Sequence, residues 1–117
     1  MTNEIQCRPF HIALPVPTLD HVRDFYGNLL GCSFGRSDKT WIDVNFFNHQ
    51  VVFHMDPSIT LPQIKNDVDD HAVPVPHFGV ILTMPEWKAL SQRLKDNNVS
   101  FVIDPYIRFE GQPGEQA

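Results

Sequence analysis

Cysteine and basic residues are both scarce in this sequence. The two cysteines, Cys7 and Cys32, form no CxxC pair and are too few for a disulfide framework, which favours a reducing compartment such as the cytoplasm. Lys and Arg number 9 against 14 Asp and Glu, which gives a net charge of -5. A nucleic-acid or anionic-membrane binder normally carries clustered basic residues, so we expect neither partner and favour a small molecule.

Long apolar runs and several catalytic motifs are also missing. No basic start leads into an apolar run, and no stretch approaches the roughly 20 apolar residues that cross a bilayer. We therefore expect a soluble protein that is neither exported nor embedded in a membrane. The absence of a Gly-rich phosphate loop, a GxSxG elbow and an HExxH pair argues against nucleotide-binding and hydrolase functions.

The residues that are present predict one α+β domain spanning 1–117. A hydrophobic share of 42% is that of an ordinary globular protein, and nine Phe provide bulky core material. Apolar alternation predicts a first strand at about 7–16, and three- and four-residue spacing predicts a helix from the N-cap Thr18 to Gly31. Three more strands are predicted at 32–36, 41–47 and 50–55. The first unit, about 7–56, is thus βαβββ.

The pattern of the first unit returns after a Pro- and Asp-rich linker predicted at about 57–75. His77 and the residues after it match His11 and its followers at an offset of 66 residues. Pro85 opens a second helix that Asn97 and Asn98 close, and strands are predicted at 76–82 and 99–103, the latter extending through 106–109. By symmetry two further strands are expected, roughly 20 residues in all, so the second unit, about 76–117, is interpreted as incomplete.

Two βαβββ units with a helix that carries FYxxxLG resemble the vicinal oxygen chelate superfamily, which includes glyoxalase I, bleomycin resistance proteins and extradiol dioxygenases. The FYxxxLG residues are Phe25, Tyr26, Leu30 and Gly31. The run DPYIRFEGQPGEQ at 104–116 looks like a bacterial subgroup described as extradiol-type dioxygenases. The resemblance implies two units forming a curled mixed sheet with helices on the outer face. It also implies a metal on the concave side and a homodimer.

In the metal-binding relatives, a His on the first strand of each unit and a Glu late in the second unit hold the metal. His11 and His77 match the two His positions, whereas the Glu matches nothing before Ala117. Small neighbours, Ala13 and Gly79, share a face with each His and leave room for a ligand. Neutral imidazole suits Fe(II), Mn(II), Zn(II) and Ni(II), so we expect one of these divalent metals.

Three further residues are candidates for the site. His54 ends the first unit's last strand, where it is predicted to be a metal ligand, a substrate contact or an acid–base group, or else structural. Tyr106 and Arg108, with Glu110, alternate on one predicted strand face and could bind a phenolic or anionic substrate, or form a solvated edge. His21, His49 and His71 are predicted to lie at the surface.

The sequence favours a metal-dependent extradiol-type dioxygenase acting on a catechol-like substrate with Fe(II) or Mn(II). A glyoxalase-type isomerase with Zn(II) or Ni(II) is the alternative within the same fold. A metal-free small-molecule binder, similar to bleomycin resistance proteins, is the alternative from another class.

Overall fold

The computed structural model describes residues 7–59, 64–68 and 71–117. The chain divides into two compact units, Met1–Thr60 and Leu61–Ala117. The first unit contains strands β1 to β4, with a helix between β1 and β2. The second contains a β-hairpin, β5 and β6, followed by helix α2.

The first unit is the βαβββ arrangement that the sequence predicts. Its strands form one mixed sheet in the order β1-β4-β3-β2, with β1 and β4 parallel and the other pairs antiparallel. The strand bounds are β1 His11–Val16, β2 Ser33–Ser37, β3 Trp41–Phe46 and β4 His49–Met55.

The helix of the first unit begins as α1, Leu19–Val22, and continues as a π-helix, Arg23–Leu29. Thr18 caps it as predicted, since its side-chain oxygen accepts from the His21 backbone N–H at 3.3 Å. The helix packs on one face of the sheet, which confirms the predicted outer layer for this unit. Gly31, at φ 75°, adopts the left-handed conformation that ends the helix where the sequence placed its end.

Apolar side chains between the helix and the sheet form the core of the first unit. Along β3 and β4 they alternate with residues on the other face, because successive strand residues point to opposite sides. Each fully buried side chain contributes about 1.5–3 kcal/mol. The most buried residues, at 3% exposure or less, are Val22, Ile42, Val44, Val51 and Phe53.

The second unit differs from the prediction in its strands. The segment predicted as an unstructured linker at 57–75 contains β5 Ile64–Val68 and β6 His71–Val75, which pair antiparallel. The presence of Pro74 had argued against a strand in this segment. A two-stranded sheet tolerates proline, because each strand has an outer edge where the missing N–H removes no hydrogen bond between the strands.

No strand forms at the predicted positions 76–82, 99–103 and 106–109. In the first unit β1 pairs with β4, and β2 pairs with β3. Within the described part of residues 61–117, no strand occupies the corresponding partner positions, so these segments lack the backbone partners that a ladder requires. The prediction of strands in these three segments is therefore wrong.

Helix α2 forms at Met84–Asp96, as the sequence predicts. Thr83 and Glu86 make a capping box, in which the Thr83 backbone N–H donates to Glu86 Oε1 at 3.0 Å and the Glu86 backbone N–H donates to the Thr83 hydroxyl oxygen at 3.4 Å. Pro85 lies in the first turn, and Asn97 caps the C-terminal end.

Candidate functional site

The open face of the first-unit sheet carries a row of polar side chains. His11 on β1 lies opposite Gln50 on β4, and Gln50 lies opposite Asn45 on β3. The next row along the strands contains Ala13, Val52 and Asp43. Because these positions alternate with the buried core residues, one face of the sheet carries the candidate site residues and the other face packs against the helix.

The imidazole of His11 is fixed by Gln50. Its Nδ1 lies 2.9 Å from the side-chain oxygen Oε1 of Gln50. An amide oxygen can only accept a hydrogen bond, so Nδ1 carries the proton and donates it. In the neutral ring Nε2 then keeps its lone pair, which is the form in which histidine binds a metal.

The imidazole of His77 is held in the same way by a different kind of acceptor. His77 follows β6 directly, in the extended segment before α2, and its Nδ1 lies 2.6 Å from the backbone carbonyl oxygen of Pro74. A carbonyl oxygen also only accepts, so the neutral His77 ring likewise leaves Nε2 with a lone pair. The rings of His77 and His11 are therefore the same tautomer, with the proton on Nδ1.

His54 lies on the same sheet face as His11 but not beside it. The register pairs His54 with Pro15, four residues along β1 from His11. At ~3.3 Å per residue this is roughly 13 Å, too far for two ligands of one ion. The β4 residue level with His11 is Gln50, and His54 lies beside Trp41 on β3. As a ligand that shares a metal with His11, His54 does not fit this register.

Tyr106 and Arg108 lie in the C-terminal segment of the second unit, outside any strand. The backbones of Arg108 and Gln116 exchange two hydrogen bonds, an isolated bridge that closes a loop. The Arg108 guanidinium carbon lies 5.2 Å from the centroid of the Phe109 ring, within the range of a cation–π contact. Tyr106 is 37% exposed.

A cavity of about 220 Å³ opens on the polar face of the first unit. His49 lines it and is half-buried at the surface of the first unit. Its ring stacks on Phe10 with centroids 4.2 Å apart, and its Nδ1 accepts from the Phe10 backbone N–H at 3.0 Å. The full lining is Gly35, Asp43, Val44, Asn45, Asn48, His49 and Gln50.

Of the remaining histidines, His21 is exposed on the helix, as predicted. The side chain of His71 lies outside the described residues. No group of three or more His, Cys, Asp or Glu with metal-site geometry occurs among residues 7–59, 64–68 and 71–117. In the same residues no helix is long and apolar enough to cross a bilayer.

The two groups with raised pKa values lie at the helix end of the first unit. Burial raises the pKa of the Cys32 thiol. Burial also raises the pKa of Tyr26, with a smaller contribution from the nearby Cys32. Both groups stay protonated at neutral pH, so neither acts as a nucleophile there.

Sequence reasoning missed Gln50 and Asp43. Part of the signal was present in the alternation of β3, where Asp43 and Asn45 each fall between apolar residues, whereas Gln50 follows His49 and precedes Val51. Only the register between strands shows that Gln50 is level with His11, and register depends on tertiary pairing.

Comparison with known proteins finds no matching family model and no matching curated protein. Solved structures do match. A glyoxalase/bleomycin resistance protein/dioxygenase from Alicyclobacillus acidocaldarius has a TM-score of 0.68 at 29% identity, over 92% of this chain and 76% of that one. A glyoxalase/dioxygenase from Nostoc punctiforme has a TM-score of 0.64 at 15% identity, over 92% and 85%.

A third similar structure is a lactoylglutathione lyase from Agrobacterium tumefaciens, with a TM-score of 0.53 at 11% identity, over 90% of this chain and 78% of that one. Together these likenesses show that the chain has the α+β fold of glyoxalase/bleomycin resistance proteins. They support its placement in the vicinal oxygen chelate superfamily. The names of these structures span several activities, so they do not single out the extradiol dioxygenases.

Proposed function

We propose that this protein is a metal-dependent enzyme that acts on a small molecule with two adjacent oxygens, most specifically an extradiol-type dioxygenase of catechol-like substrates. The observation that carries the proposal is the hydrogen bonding of two histidines. His11 and His77 each give Nδ1–H to an oxygen acceptor, at 2.9 and 2.6 Å, which leaves Nε2 available to a metal.

The donor set fits a borderline divalent metal. Two neutral imidazoles suit Fe(II), Mn(II), Zn(II) or Ni(II), and two His ligands leave positions for substrate oxygens and other donors. When bound, such a metal would supply Lewis acidity toward adjacent oxygens, and Fe(II) or Mn(II) would also relay electrons from the catechol, which is oxidised, to dioxygen, which is reduced. His11 and His77 would hold it, because their Nε2 atoms carry the lone pairs.

The chain's other residues would bind and orient the substrate. His54 would contact the substrate or exchange a proton with it, since an imidazole titrates near neutral pH. Tyr106 would donate a hydrogen bond to a substrate oxygen, and Arg108 would pair with an anionic group. Asp43, Asn45 and Gln50 give the cavity polar walls suited to hydroxyl groups.

The test of this activity is oxygen consumption. The full chain is reconstituted with Fe(II) or Mn(II) without oxygen, then mixed with catechol or a carboxylated catechol in air-saturated buffer. The proposal predicts oxygen uptake in equimolar proportion to a coloured ring-opened product, and none with His11→Ala. Hydroquinone, whose hydroxyls are not adjacent, is the matched control substrate and should give no uptake.

Two alternatives follow from the printed names of similar structures, which include a lactoylglutathione lyase and bleomycin resistance. An isomerase or lyase loaded with Zn(II) or Ni(II) would form or break lactoylglutathione without consuming oxygen. A metal-free binder would use the polar cavity of the first unit and bind its ligand equally well in chelator. Lactoylglutathione turnover without oxygen uptake would replace the dioxygenase proposal with the first alternative.

We also propose that the protein acts as a homodimer, as the resemblance implies. Light scattering of the full chain tests this, and a monomer at micromolar concentration would contradict it.

A further inference from the structure

Three side chains on three neighbouring strands are connected across the open face of the first-unit sheet. Asp43 on β3 and His11 on β1 flank Gln50 on the strand between them, β4. The Gln50 amide nitrogen Nε2 donates to Asp43 Oδ2 at 3.5 Å, a long hydrogen bond, and the Gln50 oxygen Oε1 accepts from His11 Nδ1 at 2.9 Å. Asp43, Gln50 and His11 thus form a relay.

The carboxylate of Asp43 decides which way the Gln50 amide faces. An ionised carboxylate has acceptors only, so it attracts the NH₂ end of the amide and repels its oxygen. Turning the amide around would place two oxygens against each other at Asp43 and two donors against each other at His11. Asp43 therefore directs the Gln50 oxygen to His11 Nδ1.

Asp43 is itself held firmly. It is 9% exposed, and a buried carboxylate requires hydrogen-bond or charge partners. Arg36 Nε lies 3.9 Å from Asp43 Oδ2, at the limit of an ion pair, and the Arg36 side chain is 86% exposed. A Cβ at Gly35 would lie 3.3 Å from Asp43 Cβ, so only a residue without a side chain leaves this carboxylate its place without crowding.

We propose that Gln50 and Asp43 are positioning residues, which hold His11 as the Nδ1–H tautomer and so direct Nε2 toward the metal. The metal's part in this inference rests on the proposed function. The tautomer does not, because it is a property of the unloaded protein. The tautomer of His11 is therefore the readout of the relay, and it would stay unchanged on substitution of Gln50 if Gln50 had only a structural role.

The experiment measures the tautomer of His11 and metal affinity in parallel. Protein labelled with ¹⁵N-histidine is studied by long-range ¹H–¹⁵N correlation spectra, which distinguish the Nδ1–H from the Nε2–H tautomer. Zinc affinity is measured by competition with a chromophoric chelator. The variants are Gln50→Leu, which removes the acceptor, and the double variant Gln50→Glu/Asp43→Asn, which keeps an acceptor oxygen for His11 and removes the carboxylate that would oppose it. Gln92→Leu removes an exposed amide from helix α2, where Gln92 donates to Asp96, and is the matched control.

Wild type and Gln50→Glu/Asp43→Asn are expected to show His11 protonated on Nδ1. Gln50→Leu should shift His11 toward the Nε2–H tautomer and weaken zinc binding about 10–100-fold, the usual effect of losing such a partner. His77, whose acceptor is a backbone carbonyl, should keep its spectrum in every variant. An unchanged signal of His49, whose Nδ1 accepts from the Phe10 N–H across the first-unit sheet, shows that this unit is folded.

An unchanged His11 tautomer in Gln50→Leu would overturn the positioning role, whatever the zinc affinity. A changed tautomer in a protein that binds zinc in no variant would support the positioning role and overturn the proposed metal function. The two failures are therefore distinguishable in one set of samples.

Discussion

The imidazole Nδ1 of His77 lies 2.6 Å from the carbonyl oxygen of Pro74. His11 makes the equivalent contact with a side chain, Gln50. Two histidines that the sequence repeat relates therefore reach one tautomer by different local means, one through a backbone acceptor and one through a neighbouring strand. The backbone acceptor resists side-chain substitution, whereas the Gln50 acceptor can be removed by a single change.

His54→Ala should leave metal content unchanged and lower turnover. The register places His54 opposite Pro15, away from His11, so it contacts substrate rather than metal in this account. Loss of an acid–base group lowers turnover about 10²–10⁴-fold. Metal analysis and oxygen uptake on the same samples check this. A loss of bound metal in His54→Ala would contradict the prediction and indicate that His54 is a metal ligand.

Val44→Ala should lower the free energy of unfolding of the first unit by about 2–3 kcal/mol, from lost burial and the cavity left behind. Val44 is 1% exposed between the helix and the sheet. The control is Ser37→Ala, on the exposed strand β2 of the same unit, and it should cost less than about 0.5 kcal/mol. Urea unfolding is followed by Trp41 fluorescence in a Trp87→Phe background, and equal effects of the two substitutions would contradict the assigned core.

Acid should destabilise the wild type more than Glu86→Gln. Hydrogen bonds from the Thr83 side chain and backbone lower the pKa of Glu86 below its ordinary value. A lowered folded-state pKa means that the contribution is present above the unfolded pKa of about 4.3 and is lost as pH falls through the folded value. Urea midpoints at about pH 6 and about pH 3 should therefore converge for the two proteins on acidification. A constant difference would contradict this.

Cys7 should react with a thiol reagent several times faster than Cys32 at neutral pH. Burial raises the pKa of the Cys32 thiol and also limits access to it, whereas Cys7 is exposed. The rate of 5,5′-dithiobis(2-nitrobenzoate) reaction in wild type and Cys7→Ser separates the two thiols. A fast phase that survives Cys7→Ser would show that Cys32 is more accessible than the structure indicates.

Sequence patterns predicted what depends on local chemistry. Thr18, Gly31 and Pro85 mark helix ends by capping and backbone preference, and the structure confirms all three. The strands of the first unit were also predicted, because one face is buried and alternation is clear. The second unit was harder: the apolar residues near His77 alternate like a strand, but a strand also needs a partner, which no local pattern contains.

The residues of the candidate site likewise fall into those predictable from the sequence and those that depend on tertiary pairing. His11 and His77 came from the repeat, a feature of the sequence itself. Gln50 could be identified only from the pairing of β1 with β4. A shift of this register by one residue would turn the Gln50 side chain toward the core.

The most direct test of the central claim is the metal stoichiometry of the purified full chain. Wild type, His11→Ala, His77→Ala and the surface control His21→Ala are each loaded with Fe(II), Mn(II) or Zn(II), passed through a desalting column and analysed for bound metal. We expect close to one metal per chain in wild type and His21→Ala, and loss of most of it in both His11→Ala and His77→Ala. Wild-type stoichiometry in either of those two variants, or no bound metal in any protein, would contradict it.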